Sequence, residues 1–355
     1  MSIFFKNLIR KNKKKFLFIA ELSANHAGDL KNAIRLIKLS KQNGADFVKF
    51  QTYEKNSMTI SSSKSEFLIK DGIWKNKKLW SLYEKAQTPF FWQKKLFDYA
   101  NKEKIKAFST PFDKKGVQIL KELKCGIIKV ASLEANDFPL LDEIAKLKKP
   151  VIFSTGTSNL SEVKKTYKYL KKKGVKDVAI LYCVSNYPSD YKDFNFNNIK
   201  ILKKEFNCVI GFSDHSNDLN VVKSAVAAGA EIIEKHVMLN NKIKTPDSEF
   251  SIKINEVSNL IKQLSVIKHM NSMKKDYFIS KKELEVIKFR RSVFVIKKIG
   301  KDEKFSYKNI KCLRPNLGIP PEKYKQLINL KSPNELDYGK PITKKLFEKI
   351  KQYNR

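Results

Sequence analysis

The stretch FLFIAELSANHAGDLKNAIRLIKLSKQNGADFVKFQ, Phe16 to Gln51, decides the architecture. It opens as an apolar strand, FLFIAEL (16–22), and breaks at a polar turn. A helical pattern follows, DLKNAIRLIKLSKQNG, with Asp29 as its cap and Gly44 as its stop. A second strand, ADFVKFQ (45–51), comes at once. Strand, helix and strand in this order form the repeat of a parallel sheet with crossover helices. One feature resists a purely structural reading. Glu21 ends a strand that should be buried, and Asn25 and His26 follow immediately. Burying an unpaired carboxylate is costly.

The alternation continues to about residue 240. Further strands read KAFSTPF (106–112), GIIKVAS (126–132), PVIFSTG (150–156), VAILYCVS (178–185), CVIGFSD (208–214) and EIIEKHVM (231–238). The sixth gap holds the helical NFNNIKILKKEF (195–206), and a closing helix falls at about 252–270. Eight strands, each followed by a helix, predict a (β/α)8 TIM barrel. A doubly wound sheet would carry GxGxxG after a strand, and none is present.

The expected domains are a basic lead-in at 1–15, the barrel at 16–272, a linker at 273–288 and a small β-rich domain at 289–355. KNKKK (11–15) reads as a solvated tail. The gap at 52–88 is long and carries Trp74, Trp80 and Tyr83. Loops after barrel strands lie on the catalytic face, so this one is expected to be a lid or substrate wall.

Composition narrows the function. The chain has 72 Lys and Arg against 36 Asp and Glu, a formal charge of +36. The excess is mostly lysine spread along helices, as in KKTYKYLKKKGVK (164–176) and KKLFEKIKQ (344–352). No RNP, zinc-finger or helix-turn-helix signature accompanies it, so no nucleic-acid partner is expected. Such charge does draw in anionic substrates. The four cysteines form no CxxC pair, which fits a reducing cytoplasm. The apolar runs are too short to span a bilayer, and no membrane association is expected.

Chemistry in a barrel sits at the C-terminal strand ends, where alternate residues point inward. Glu21 ends strand one, Lys49 and Gln51 strand two, and Thr110 strand three. Lys129 lies on strand four, with Ser132 and Glu134 just beyond it. Ser154 ends strand five; Ser185, Asn186 and Tyr187 follow strand six. Strand seven gives Ser213 and His215, and strand eight gives Glu234 and His236. Structure alone does not account for a polar end on every strand. His215 and His236 fall on neighbouring strands, and with Asp247 nearby they suit either a divalent transition metal or hydrogen bonding to a substrate. Lys49 and Lys129 with Thr110, Ser132, Ser154 and Ser213 make a cationic, hydroxyl-rich bay suited to phosphate or carboxylate.

The motifs IAELSANH, VKFQTY, FSTPFD, KVASLE, STGTS, IGFSDH, IEKHV and TPDSEF, in this order, resemble the sialic-acid synthase family. FRRSVFVIKKIGKDEKFSYKNIKCLRP resembles that family's C-terminal antifreeze-like (SAF) domain. AELSANH, QTY and KAQTPFFWQ look most similar to the pseudaminic branch. The N-acetylneuraminate and legionaminate branches, which run the same chemistry on other amino sugars, are the alternative. A non-catalytic sugar- or nucleic-acid-binding barrel is a remote one.

The resemblance implies condensation of phosphoenolpyruvate with an open-chain amino sugar, giving a nine-carbon 2-keto acid and phosphate. It implies Mn²⁺ or Mg²⁺ on His215 and His236. Phosphoenolpyruvate would be held by Lys49, Thr110, Lys129, Ser132, Ser154, Ser185 and Ser213. Gln51, Tyr187 and Asp247 would contact the sugar. Glu21 would do the acid–base work, with Glu134 as its rival. Arg314, in CLRP, matches an arginine that a partner subunit delivers, which implies a domain-swapped homodimer. The chain departs from the family at Ala27, Val184 and Thr245, and the last is expected to bear on sugar identity.

Overall fold

The computed structural model describes residues 3–271 and 277–355. Eight parallel strands pair in sequence order. They are β1 (Leu17–Glu21), β2 (Phe47–Thr52), β3 (Lys106–Pro111), β4 (Ile128–Val130), β5 (Val151–Ser154), β6 (Val178–Cys183), β7 (Val209–Asp214) and β8 (Ile232–Met238). β8 pairs back onto β1, with Glu21 opposite His236, so the sheet closes. The expected barrel is present, with strand limits within about two residues of those read from the sequence, the usual spread of boundary assignment.

Five of the barrel helices start where the sequence supplies a cap. Asp29 accepts from the Lys31 amide at 2.8 Å ahead of helix Leu30–Gln42. Asp113, Asp137, Asn159 and Asp218 cap the helices after β3, β4, β5 and β7 in the same way. These side chains satisfy amide donors that the first helical turn leaves open. Gly44 follows the first of these helices at φ +87°, a conformation glycine adopts without strain.

The barrel wall is packed in two layers. Phe18, Phe50, Phe153 and Phe212 point outward and are completely buried against the helices. Leu17, Ile19, Phe47, Phe108 and Ile152 fill the lower interior, with the Phe47 and Phe108 rings edge to face at 5.7 Å. The apolar filling stops short of the C-terminal strand ends.

One expectation needs correction. The lead-in at 1–15 is not a free tail, because Phe4–Lys11 is a helix with Phe5 and Ile9 buried in the barrel core. It lies across the N-terminal ends of the strands. The Phe4 amide donates to Asp177 at 2.9 Å, and Asn12 Nδ2 donates to Asp46 at 2.8 Å. Of KNKKK, Lys11, Lys13 and Lys15 are exposed, while Lys14 pairs with Asp46 at 2.9 Å. The gap at 52–88 carries short elements of its own. It holds helix Lys55–Met58, a 3₁₀ turn at Ser65–Phe67 and helix Leu79–Ala86. Past β8, a two-residue β9 (Ile252–Lys253) extends the sheet, and helix Val257–Asn271 closes the barrel.

The chain divides into two compact units, Met1–Met273 and Lys274–Arg355. Residues 272–276, at the start of the expected linker, lie outside the described residues; helix Lys281–Val286 falls in its remainder. In the second unit β10 (Ser292–Val295) runs antiparallel to β11 (Ile310–Leu313). Isolated bridges and a final helix, Lys344–Tyr353, complete it. Its core is its own: Val293, Val295, Ile299, Phe305, Leu336 and Phe347 are all buried together.

Candidate active site

Glu21, Lys49, Thr110, Lys129, Ser154, Ser213, His215 and His236 converge at the C-terminal end of the barrel, all buried. Strand register brings them there: Glu21 lies opposite Lys49 on one side and His236 on the other. Ser213 lies opposite Glu234. Lys49 Nζ is the hub, 2.5 Å from Glu21 Oε2, 3.4 Å from Glu234 Oε1 and 3.4 Å from Thr110 Oγ1. Glu21 Oε1 also accepts from the Ser23 amide at 2.8 Å. Ser213 Oγ donates to Glu234 Oε1 at 3.0 Å. Lys129 Nζ donates to Ser154 Oγ at 2.7 Å and to the Val130 carbonyl at 2.9 Å.

The charges are set by this packing. Burial opposes charge on Lys49, but Glu21 and Glu234 outweigh it and raise Lys49 above its ordinary value. Burial also opposes the Glu234 carboxylate, yet Lys49 and Lys129 hold it down to about 2. For Glu21 burial prevails over Lys49 and His236, so its carboxyl is raised. Burial lowers Lys129, with Lys49 adding to the effect and Glu234 opposing it. The bay thus keeps one firmly charged lysine and one whose proton affinity rises when an anion arrives.

Gln51, Ser132, Glu134, Ser185, Tyr187 and Asp247 sit at or just past the strand ends. Ser132 Oγ accepts from the Gly156 amide at 3.0 Å. A Cβ on residue 156 would fall 2.0 Å from Ser185 Oγ and 2.8 Å from Ser132 Oγ, so glycine there is what lets the two hydroxyls approach. Burial pushes Glu134 up to about 7, with Lys129 only partly opposing it. Tyr187 packs on His215 with centroids 4.5 Å apart. Arg314 belongs to the second unit, exposed and directly after β11.

Asn25 and His26 are braces. Asn25 Nδ2 donates to the Val237 carbonyl at 2.9 Å and to Ser251 Oγ at 2.8 Å. His26 Nδ1 accepts from the Gly28 amide at 3.0 Å, which leaves Nε2 to face Thr88 Oγ1 at 3.2 Å. Burial lowers this imidazole to about 4, so it stays neutral. Thr245, flagged above as a departure, donates to Asn25 Oδ1 at 2.6 Å and so ties the turn before Asp247 to the turn after β1.

The strand ends also offer donors to a divalent cation. The His215 and His236 rings stand edge to face at 5.4 Å. His215 Nδ1 lies 3.1 Å from the Val184 carbonyl, which can only accept, so the Nε2 lone pair is left open. His236 Nδ1 is 3.5 Å from Asp247 Oδ2 and makes no hydrogen bond among the described residues. Glu234 Oε2 is likewise buried without a partner. Unpaired buried polar atoms mark a place where a ligand completes the bonding. Among the described residues no three or more His, Cys, Asp or Glu side chains gather to cage a metal. The donor set fits an ion held by two imidazoles with several positions open.

Three residues escaped the sequence reading. Cys183 Sγ approaches His215 Nδ1 at 3.6 Å; it has the inward parity of Ser185, two positions on, which was the available signal. Lys235 and Asp214 form a buried pair at 2.9 Å behind the histidines. Lys235 also donates to the Ser216 carbonyl and, at 3.4 Å, to that of Phe250. No local pattern distinguishes this outward-facing pair from solvent-exposed charge.

Fold and site together define a (β/α)8-barrel enzyme. The NeuB family pattern matches residues 36–276. Pseudaminic acid synthase of Campylobacter jejuni is 40% identical over 92% of this chain and 95% of its own. N,N'-diacetyllegionaminic acid synthase of the same species is 34% identical over 89% and 95%. The crystal structure of N-acetylneuraminic acid synthetase from Leptospira borgpetersenii superposes with a TM-score of 0.68 at 31% identity, covering 77% of this chain and 90% of that one. The chain belongs to the NeuB family. Among its described residues no helix is long and apolar enough to cross a membrane.

Proposed function

We propose that the protein is a pseudaminic acid synthase. It condenses phosphoenolpyruvate with 2,4-diacetamido-2,4,6-trideoxy-altrose, giving a nine-carbon 2-keto sugar acid and phosphate. The buried ring of Lys49, Lys129, Glu21 and Glu234 among hydroxyls carries this reading, because it suits a small polyanion and has no structural use. The 40% identical relative named for this activity supports the choice of sugar.

In this reading Lys49 and Lys129 neutralise phosphoenolpyruvate, while Thr110, Ser132, Ser154, Ser185 and Ser213 fix its phosphate and carboxylate oxygens. Gln51, Tyr187 and Asp247 orient the sugar. His215 and His236 would hold Mn²⁺ or Mg²⁺, which when bound supplies Lewis-acid polarisation of the sugar aldehyde. Carbon 3 of phosphoenolpyruvate attacks that aldehyde carbon, and the new hydroxyl oxygen takes a proton delivered through Glu21, whose carboxyl burial raises above its ordinary value. Water then adds at carbon 2. Glu134 takes one proton from this water; as the carbon 2–oxygen bond to phosphate breaks, the remaining hydroxyl proton passes to the departing phosphate and leaves the ketone. The second unit is read as the antifreeze-like domain of a domain-swapped homodimer, with Arg314 serving the partner's barrel. A cytoplasmic location belongs to the same reading.

Phosphate release tests it. With Mn²⁺ and phosphoenolpyruvate, the 2,4-diacetamido-2,4,6-trideoxy-altrose substrate should give the highest kcat/KM. N-acetylmannosamine and the legionaminate precursor should trail. A preference for either of these moves the enzyme to a sister activity, and release with none of them rejects the synthase.

A further inference from the structure

Trp74 lies midway along the 52–88 segment, and the mechanism above does not use it. Its indole Nε1 donates to the Pro246 carbonyl at 3.0 Å, next to Asp247. Its ring is tilted by 38° over Tyr187, with centroids 5.6 Å apart, and meets Phe250 edge-on at 6.3 Å. Tyr187 in turn packs on His215 at 4.5 Å, and Phe250 on His236 at 4.9 Å. Segments leaving β2, β6 and β8 therefore meet in one aromatic wall that begins at the two histidines and ends at Trp74.

The chemistry of that wall is restrictive. The one polar atom of Trp74 is already committed to Pro246. A sugar hydroxyl pressed against Trp74 would lose water and gain no partner, whereas a methyl group gains contact. With the aldehyde at the histidines, an open six-carbon chain running along the wall brings its far end to the indole.

We propose that Trp74 is a specificity-determining residue that selects a sugar with a methyl group at carbon 6 over one with a hydroxyl there. The inference rests on the synthase reading above and adds the group that makes the choice. Apolar pockets reject an added hydroxyl only modestly, so the discrimination should be about 10- to 100-fold in kcat/KM.

The test compares 2,4-diacetamido-2,4,6-trideoxy-altrose with its 6-hydroxy counterpart, by phosphate release, in wild type, Trp74→Phe and Trp74→Gln. Both variants lose the bond to Pro246, but only phenylalanine keeps the apolar wall. Trp74→Phe should retain the wild-type preference within about threefold. Trp74→Gln offers an amide to the hydroxyl and should cut the preference at least about tenfold through the sugar KM. The KM for phosphoenolpyruvate should stay within about twofold in both, because Trp74 contributes no uniform binding to that substrate. Equal preference in wild type and Trp74→Gln overturns the proposal. So does an equal loss on both sugars in both variants, which would reduce Trp74 to a brace for the Pro246 turn. Wild type that turns over neither sugar fails the synthase reading itself, and this inference falls with it.

Discussion

Lys49 is held between two carboxylates in a place where a barrel ordinarily packs branched aliphatic side chains. Removing three charges from water costs several kcal/mol per ion, and apolar replacements of such clusters are often neutral or stabilising. The ring is therefore a weak source of stability for the fold. Within it Glu21 has the raised carboxyl, two fixed partners and no solvent exposure. Glu21→Gln should keep the fold by circular dichroism and lower kcat by about 10²- to 10⁴-fold, the range for a lost acid–base group. Near-wild-type phosphate release would remove Glu21 from proton transfer. Glu134 titrates where it can be watched. Burial holds its carboxyl at about 7, above the ordinary 4.5, so the folded protein binds this proton more tightly than the unfolded chain does. Stability from this group is therefore full below pH 4.5 and is lost as pH rises through 7. Activity runs the other way if the carboxylate takes a proton from water. The kcat/KM profile should rise through an apparent pKa near 7 and lose that limb in Glu134→Gln. A limb unchanged in the variant would assign it elsewhere.

Most βα units were legible because they carry their own punctuation. The Asp and Asn caps, the glycine stops at Gly44, Gly174 and Gly229 and the inward parity of strand-end polar residues are all local signals. What the sequence concealed depends on distant partners. FFKNLIRK is a short segment next to a basic run, and its two core residues, Phe5 and Ile9, lie four apart as on one helical face. That spacing was visible; the open end of the barrel that it covers was not. The same holds for Trp74, whose Pro246 partner lies 172 residues away. The N-terminal helix is consequently part of the barrel's stability. Phe5→Ala should cost about 3 kcal/mol, as for other large-to-small changes in a core, read as a lower midpoint in urea. Lys13→Ala, in the exposed run, should fall within about 0.5 kcal/mol. An unshifted midpoint for Phe5→Ala would return the segment to the status of a tail.

The whole chain pairs a complete anion bay with a sugar side that draws on few cations of its own barrel. Lys49 and Lys129 are both committed to the ring, while Arg314 stands exposed on the second unit. The second unit has a separate core, so it can be placed over another copy's barrel without disturbing its own packing. In the proposed domain-swapped dimer each active site takes Glu21 from one chain and Arg314 from the other. Arg314→Ala should then raise the sugar KM while leaving that for phosphoenolpyruvate nearly unchanged, and Glu21→Gln should abolish turnover. Refolding the two variants together makes heterodimers in which one site has both wild-type residues and the other has neither. Random pairing of equal amounts should restore about a quarter of wild-type activity, since half of the dimers are mixed and half of their sites are intact. Sites built within a single chain would show no such gain over the average of the two variants, and a flat mixing curve would exclude the shared site.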